Sequence, residues 1–360
     1  MRIAALIPAV ACLEACVPVP PGSKVEGDGT TAVGASTDAD DTTSLPGPIA
    51  SSSTAGDDGT TFTSTTGDST GSTTTGGAET TGSPSIQCGY LDPVDAGTVT
   101  TQVISEASGM VHSRQHAVLW VNNDSGDSAR LHVIEDDGSF LGSLDVPGAS
   151  ADDWEDIALG PGPTPGVDYL YVADIGDNDS NRPFVTIYRF PEPDPDDLGS
   201  APLSADDVVA LDVQYPNGPR NAETLLADPV TGGLYILSKV VSGPSTLYSL
   251  PVPHEPGVTA TLQTVMNLEF GSGRLAGARA AVGGDISGDG SWVFVRTHTH
   301  AFVWPRAGET FLYETFSSPP CAIELAFEAQ GESLAVVGNG QSFFTLSEGI
   351  GSTLYRYSMP

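Results

Sequence analysis

The stretch Asp153–Pro193, DWEDIALGPGPTPGVDYLYVADIGDNDSNRPFVTIYRFPEP, decides the fold. An acidic cluster opens it and a Gly/Pro turn follows. An apolar run, Tyr169–Asp174, then leads into a polar elbow, and a second apolar run from Thr186 returns. Short runs rich in β-branched and aromatic residues, bounded by Gly, Pro, Asn and Asp, form strands rather than helices. The stretch therefore reads as one module of antiparallel sheet.

Relatives of this module recur along the chain. Second strands are VLWV (Val118–Val121), YLYVAD (Tyr169–Asp174), GLYILSK (Gly233–Lys239), SWVFVRT (Ser291–Thr297) and SFFTLSEG (Ser342–Gly349). Each leads through a polar elbow to a third strand: RLHVIE from Arg130, TIYRFPEP from Thr186, TLYSLPVP from Thr246, AFVWPR from Ala301 and TLYRYSMP from Thr353. The segments EASGMVHS, WEDIALG, AETLLAD, GGDISGDG and IELAFEAQG precede them as innermost strands, and FLGSLDV, DVVALDVQ, LQTVMNLEF and FLYETFS are read as fourth strands. The units start at Ser108, Glu155, Glu223, Asp285 and Glu324, at spacings of 47, 68, 62 and 39 residues. Radial repetition of four-stranded sheets is how a β-propeller protects its edges. The fold class is thus all-β, a β-propeller of five blades, or of six if the two long spacings conceal degenerate strands. The last unit ends after its third strand, so an N-terminal strand, TVTTQVI at Thr98–Ile104, is expected to complete it.

Around this domain the chain divides into 1–11, 12–87 and 88–360. Residues 1–11 carry Arg2 and the apolar IAALIPAV before Ala11-Cys12, a short export signal whose end resembles the lipobox of bacterial lipoproteins, with Cys12 as the lipidated residue. Residues 12–87 are Thr, Ser, Gly, Asp and Ala with almost nothing to bury, the composition of a disordered tether. About seventy flexible residues reach roughly 40–50 Å. The expected location is outside the cell, either lipid-anchored at a bacterial outer membrane or secreted, with the membrane touched only through the lipid. With 46 acidic against 13 basic side chains and a net charge of -33, the chain is not built for a phosphate backbone, which excludes nucleic acid as a partner. No apolar run approaches the ~18 residues of a membrane span.

Cys88 precedes the closing strand and Cys321 the last unit. In an exported chain a disulfide between them would staple the ring at its seam, the alternative being two unpaired thiols.

DWEDIA, YVADIGDN, IYRFPEP, NAETLLADPVTGGLYILSK and GGDISGDGSWVFVRT together resemble a group of mostly uncharacterised secreted bacterial β-propeller proteins, over about residues 97–360. More remotely the group is similar to TolB-like, gluconolactonase-like and esterase-like phytase propellers. The chain departs from the group's pattern at RTHTH, where histidines occupy an elbow, and at SPPCAIELAF, where Ile323 takes the place of the acidic residue and Glu324 follows one position later.

In a propeller the loops entering the inner strands and the loops between second and third strands open on one face, around the central channel. Carboxylates and amides from distant positions converge there, which favours a hard cation bound by oxygen. Calcium takes six to eight oxygens and tolerates irregular geometry. The expected metal ligands are Glu155, Asp174, Asp177, Asn178 and Glu223, and the expected contacts to a further ligand are Asn123, Asp124, Arg182, Lys239, Arg296, His298 and Glu348. The plainer reading is that Asp and Asn in DSGD and DIGDN serve their own turns. His298 and His300, two apart, would share a strand face, whereas Trp120, Trp154, Trp292 and Trp304 are expected to fill sheet interfaces. Ser347-Glu348-Gly349 has no G-x-S-x-G context.

Two functions fit this sequence. The first is a monomeric, displayed binding module for a small molecule or protein at a calcium-bearing channel mouth. The second is a metal-dependent hydrolase of lactone or phosphoester type, with Glu155 or Asp156 as base and Lys239 or Arg296 stabilising developing charge.

Overall fold

A computed structural model describes residues 88–271, 278–308 and 310–360; the expected signal, Cys12 and the tether lie outside the described residues. After β1 (Val94–Thr98) come four antiparallel strands, β2 (Ala107–His112), β3 (Val118–Asn123), β4 (Arg130–Glu135) and β5 (Phe140–Asp145), which form blade 1. Blade 2 is β6 (Trp154–Pro161), β7 (Asp168–Asp174), β8 (Val185–Pro191) and β9 (Val209–Gln214). Blade 3 is β10 (Ala222–Ala227), β11 (Leu234–Ser238), β12 (Ser245–Leu250) and, after the two-residue β13 (Ala260–Thr261), β14 (Gln263–Leu268). Blade 4 is β15 (Gly283–Ile286), β16 (Trp292–Arg296), β17 (His300–Pro305) and, after a short helix α1 (Leu312–Phe316), β18 (Cys321–Glu324). Blade 5 is β19 (Gly331–Val337), β20 (Ser342–Ser347) and β21 (Thr353–Ser358), closed by β1 as its outermost strand.

The ring has five blades, and the long spacings hold excursions instead of further blades. One contains the 3-10 turn Pro195–Asp197. The other carries β13 across to blade 2, where it pairs in parallel with β9.

Period-two alternation builds the core, because successive residues of a strand face opposite neighbouring blades. On β7, Leu170 and Val172 join blade 1, with Trp120 and Val133, while Tyr171 and Ala173 join blade 3, with Leu225 and Ile236. Five apolar clusters result, one in each gap between blades. Trp120, Trp154 and Trp304 fill such gaps, and Trp292 packs partly buried against another.

Three strand assignments are corrected. FLYETFS is a helix, because its apolar residues Leu312 and Phe316 stand four apart and turn one face onto Trp304, with ring centroids 4.9 Å from Phe316. The fourth strand of blade 4 is instead Cys321–Glu324, which pairs with β17 and buries Ile323 in the gap between blades 4 and 5. Blade 5 consequently takes its inner strand later in the chain, at Gly331–Val337. The closing strand is Val94–Thr98, not Thr98–Ile104: pairing with β21 ends at Thr98 opposite Thr353, Val99 bonds only the turn before β21, and Val99 and Ile104 enter the core between blades 5 and 1.

Near the axis the inner strands are stitched blade to blade. Ser108 Oγ donates to Glu155 O (2.6 Å), Asp156 accepts from Leu225 N (2.8 Å), Asp285 accepts from Val336 N (2.8 Å) and Ser333 Oγ donates to Ala107 O (3.0 Å). Further out, Arg306 clasps Asp228 with two bonds of 2.6 and 3.0 Å, tying blade 4 to blade 3. Cys88 and Cys321 form a disulfide that fastens the segment before the closing strand to β18. Replacing both cysteines by serine is expected to cost ~2–4 kcal/mol of stability in denaturant unfolding, since the bridge closes a long loop.

Candidate functional site

The inner strands of blades 2, 3 and 5 share an irregularity. Their pairing register shifts between Trp154 and Asp156, between Ala222 and Thr224, and between Gly331 and Ser333. The residue in each bulge is a glutamate: Glu155, Glu223 or Glu332. A bulge inserts one extra residue and re-aims its side chain. All three glutamates are buried, and they meet electrostatically at the mouth of the channel, where Lys239 Nζ is bonded to Glu223 and lies 3.9 Å from Glu332.

Beside Glu155, Asp124 from the elbow of blade 1 and Asp153 from the entry to blade 2 bring carboxylate oxygens within 4.8 Å of one another. Oxygens around a calcium ion at 2.3–2.6 Å are at most about 5 Å apart, so these three residues could hold a metal ion. Gly176 makes room for them. A Cβ on it would come within 2.3 Å of both the Asp153 carboxylate and Glu155 Oε1.

The elbow that presents Gly176 is held by other acids. Asp174 accepts from Asp153 N (3.1 Å) and Asp152 N (3.3 Å) and pairs with Arg182 Nη1 at 2.8 Å. Asp177 accepts from Asn181 N (2.8 Å) and Arg182 N (3.0 Å). The guanidinium of Arg182 also donates to Gly176 O at 2.7 Å. Asn178 Oδ1 accepts from Asn221 Nδ2 at 3.0 Å, joining the elbow of blade 2 to the entry of blade 3.

Burial dominates the electrostatics. It pushes Asp153 up to about 6, with the charge of Asp124 adding to it. Glu155 rises well above the carboxylate range through burial and the nearby Glu223. Glu223 rises to about 7 by burial, against the pull of Lys239. Glu332 reaches about 7 through burial and Glu223, and Glu348 about 7 through burial and Glu332. Burial opposes the charge on Lys239, but Glu223 and Glu332 outweigh it and raise its pKa. A divalent cation is the species that would relieve such mutual repulsion.

The expected residues therefore separate. Glu155, Glu223, Asp124, Lys239 and Glu348 gather at the mouth. Asp174, Asp177 and Asn178, expected as metal ligands, fasten the loops: their oxygens accept from the elbow's own N–H groups and from Asn221 and pair with Arg182. Arg182 belongs to the same fastening. Asn123 is buried and latches the first entry segment, accepting from Ser105 N and Glu106 N and donating to Val103 O. Asp156, expected as a base, is engaged by the backbone: one oxygen accepts from Ile157 N and the other from Leu225 N. Arg296 is fully buried between blades 4 and 5, bonded to Glu328 and Ser333 O, and touches no open surface. His298 sits in the blade 4 elbow, its ring nitrogen 3.3 Å from Gly331 O, while His300 begins β17 and bonds Thr299, so the two do not line one strand face. With Lys239 and Glu332, His298 lines a recess of about 680 Å³ whose rim carries the highly exposed Phe327.

The expected ligands omit Asp153 and Glu332. Glu332 has a legible signal, because Gly331-Glu332-Ser333 repeats the pattern of Trp154-Glu155-Asp156 and Ala222-Glu223-Thr224, a glutamate followed by a small residue with a side-chain oxygen. The misassigned inner strand hides it by putting Glu324 in that role.

No family model matches the chain, and no curated protein does. Among solved structures, the PQQ-bound form of aldose sugar dehydrogenase from Streptomyces coelicolor is similar at 13% identity and a TM-score of 0.40, over 74% of this chain and 98% of that one. So distant a likeness contributes nothing to the reading of the site.

Carboxyls with raised folded-state pKa values hold protons that the unfolded chain has released, so their contribution to stability is full below about pH 4.5 and is lost as pH rises through 6–7. In chelator, the melting temperature is expected to fall between pH 5 and pH 8, and Glu332→Gln to flatten that fall in parallel scanning-calorimetry melts.

Proposed function

We propose that this chain is an exported binding module whose channel mouth takes a hard divalent cation, calcium, on Asp124, Asp153 and Glu155. The observation that carries the reading is the convergence of these three carboxylates around the space that Gly176 leaves open. Glu223, Glu332 and Glu348 would supply surrounding negative charge, and the cation would let the buried acids ionise at neutral pH. Lipidation at Cys12 and a tether over 12–87 would display the domain at the outer surface of a bacterium, as the sequence pattern and the resemblance to secreted propellers suggest. The ligand would be a small molecule or protein that docks at the mouth, with the recess beside Lys239, His298 and Phe327 as its seat.

A second reading, a metal-dependent hydrolase, is favoured by one observation: carboxyls held near neutral pKa beside a lysine and an open recess are suited to proton transfer. Glu155, Glu332 and Lys239 are the residues it would use. When bound, the metal would polarise a carbonyl or phosphoryl oxygen. The acidic field favours a neutral lactone or ester over a phosphomonoester.

Calcium is expected to raise the melting temperature at pH 7.5, because a ligand that binds only the native state stabilises it by about 2.7 kcal/mol at a hundredfold excess over Kd. Gly176→Ala and Glu155→Gln should each lose most of that shift. An unchanged melt with calcium would remove the metal from both readings. Hydrolysis of model lactones by the calcium-loaded protein, abolished in Glu155→Gln, would favour the enzyme; calcium binding without turnover would favour the binding module.

A further inference from the structure

At the opposite end of the strands from the Asp124, Asp153 and Glu155 carboxylates, a pocket of about 450 Å³ opens between blades 2 and 3. It is bounded by the turn after β6, the turn between β10 and β11, and the loop after β12. Its walls are largely apolar: Pro161, Pro163, Pro229 and Pro253 with Val230 and Val252. In a chain with 46 acidic side chains, no carboxylate among the described residues lines it. One cation does. Arg189 on β8 reaches it, 8% exposed, and its Nε finds no hydrogen-bond partner.

This arginine stands apart from the others. Of the three buried arginines among the described residues, Arg296 is paired with Glu328 and Arg306 with Asp228, whereas Arg189 has no acid within ion-pair distance. A buried guanidinium without a counter-charge is costly, and an apolar side chain of similar volume would be more stable there. The described groups that line the pocket beside it carry no negative charge. The Tyr171 hydroxyl donates to Pro161 O at 2.6 Å, and its oxygen accepts from the Arg189 guanidinium as a neutral partner. His254 stands edge-on to Tyr171, bonds Leu250 O through Nε2, and is kept neutral by burial.

We infer that this pocket is a second binding site, for a small monocarboxylate with an apolar body. The planar fork of Arg189 matches a carboxylate through two parallel N–H bonds. A single cation between proline and valine walls suits one negative charge on a hydrophobic frame, and the volume suits a ligand of drug-like size or smaller. The charge of the whole chain, -33, disfavours a dianion such as phosphate. The site lies away from the carboxylates of Asp124, Asp153 and Glu155 and does not depend on them.

Isothermal titration of the full chain with phenylacetate, and with neutral phenylacetamide, tests the assignment. One equivalent of phenylacetate is expected to bind at least tenfold more tightly than the amide, and inorganic phosphate not to compete. Arg189→Met should abolish binding while leaving the ligand-free melting temperature unchanged or higher, as expected for a charge retained for a ligand. Val230→Trp, at a half-exposed wall position, should weaken binding without altering the melt, and Glu155→Gln should leave it intact. Absence of binding across acetate, phenylacetate and phenylpropionate at 10 mM would overturn the proposal, as would a lowered melting temperature in Arg189→Met, which is the mark of a structural arginine.

Discussion

Five inner strands converge on one axis, and their inward edges carry backbone N–H and C=O groups that no sixth strand can reach. Buried backbone groups left without partners would cost more than a marginally stable domain can tolerate. Ser108, Asp156, Asp285 and Ser333 meet that requirement, each reaching from one blade to the backbone of another. Two of the four are carboxylates, and burial drives Asp285 up to about 7 and Asp156 higher than an ordinary acid. Polar side chains at the axis are thus a condition of ring closure before they are a candidate for chemistry. This is why Asp156, adjacent in sequence to Glu155, has so different a role.

The bulges separate those roles. By adding one residue to the start of the inner strand, they let Glu155, Glu223 and Glu332 leave the stitching layer and face the channel mouth, while Asp156 and Ser333 behind them bond to neighbouring blades. The mouth then gathers several buried acids around one lysine, and burial raises the pKa values of Glu155, Glu223 and Glu332. The same architecture gives the opposite face a contrasting chemistry. Turns rich in proline and glycine line that end, and the Arg189 pocket has a cation and no acid.

The repeat was legible because strand alternation and turn residues are local. VLWV, YLYVAD, GLYILSK, SWVFVRT and SFFTLSEG all become second strands, and the third strands follow their elbows as read. Errors fell where local pattern was ambiguous. FLYETFS has enough apolar residues for a strand, but Leu312 and Phe316 lie one helical turn apart, and that difference shifted the inner strand of blade 5 from Ile323 to Gly331. At the site, residue type was readable and residue role was not. Asp174, Asp177 and Asn178 look like ligands in sequence, and in the fold each makes hydrogen bonds within or between loops.

The sequence by itself determined the propeller, its closure from the N-terminal side and the acidic character of one face, since all of these follow from periodicity, turn chemistry and charge. Only the tertiary structure decided which acids share a space. That depends on the bulges, on the missing Cβ of Gly176 and on which oxygens are already occupied by backbone N–H groups. It also depends on which charges are left unpaired: Arg189, Arg296 and Arg306 are alike as letters, and only the positions of Glu328 and Asp228 in the folded ring make the first of them different.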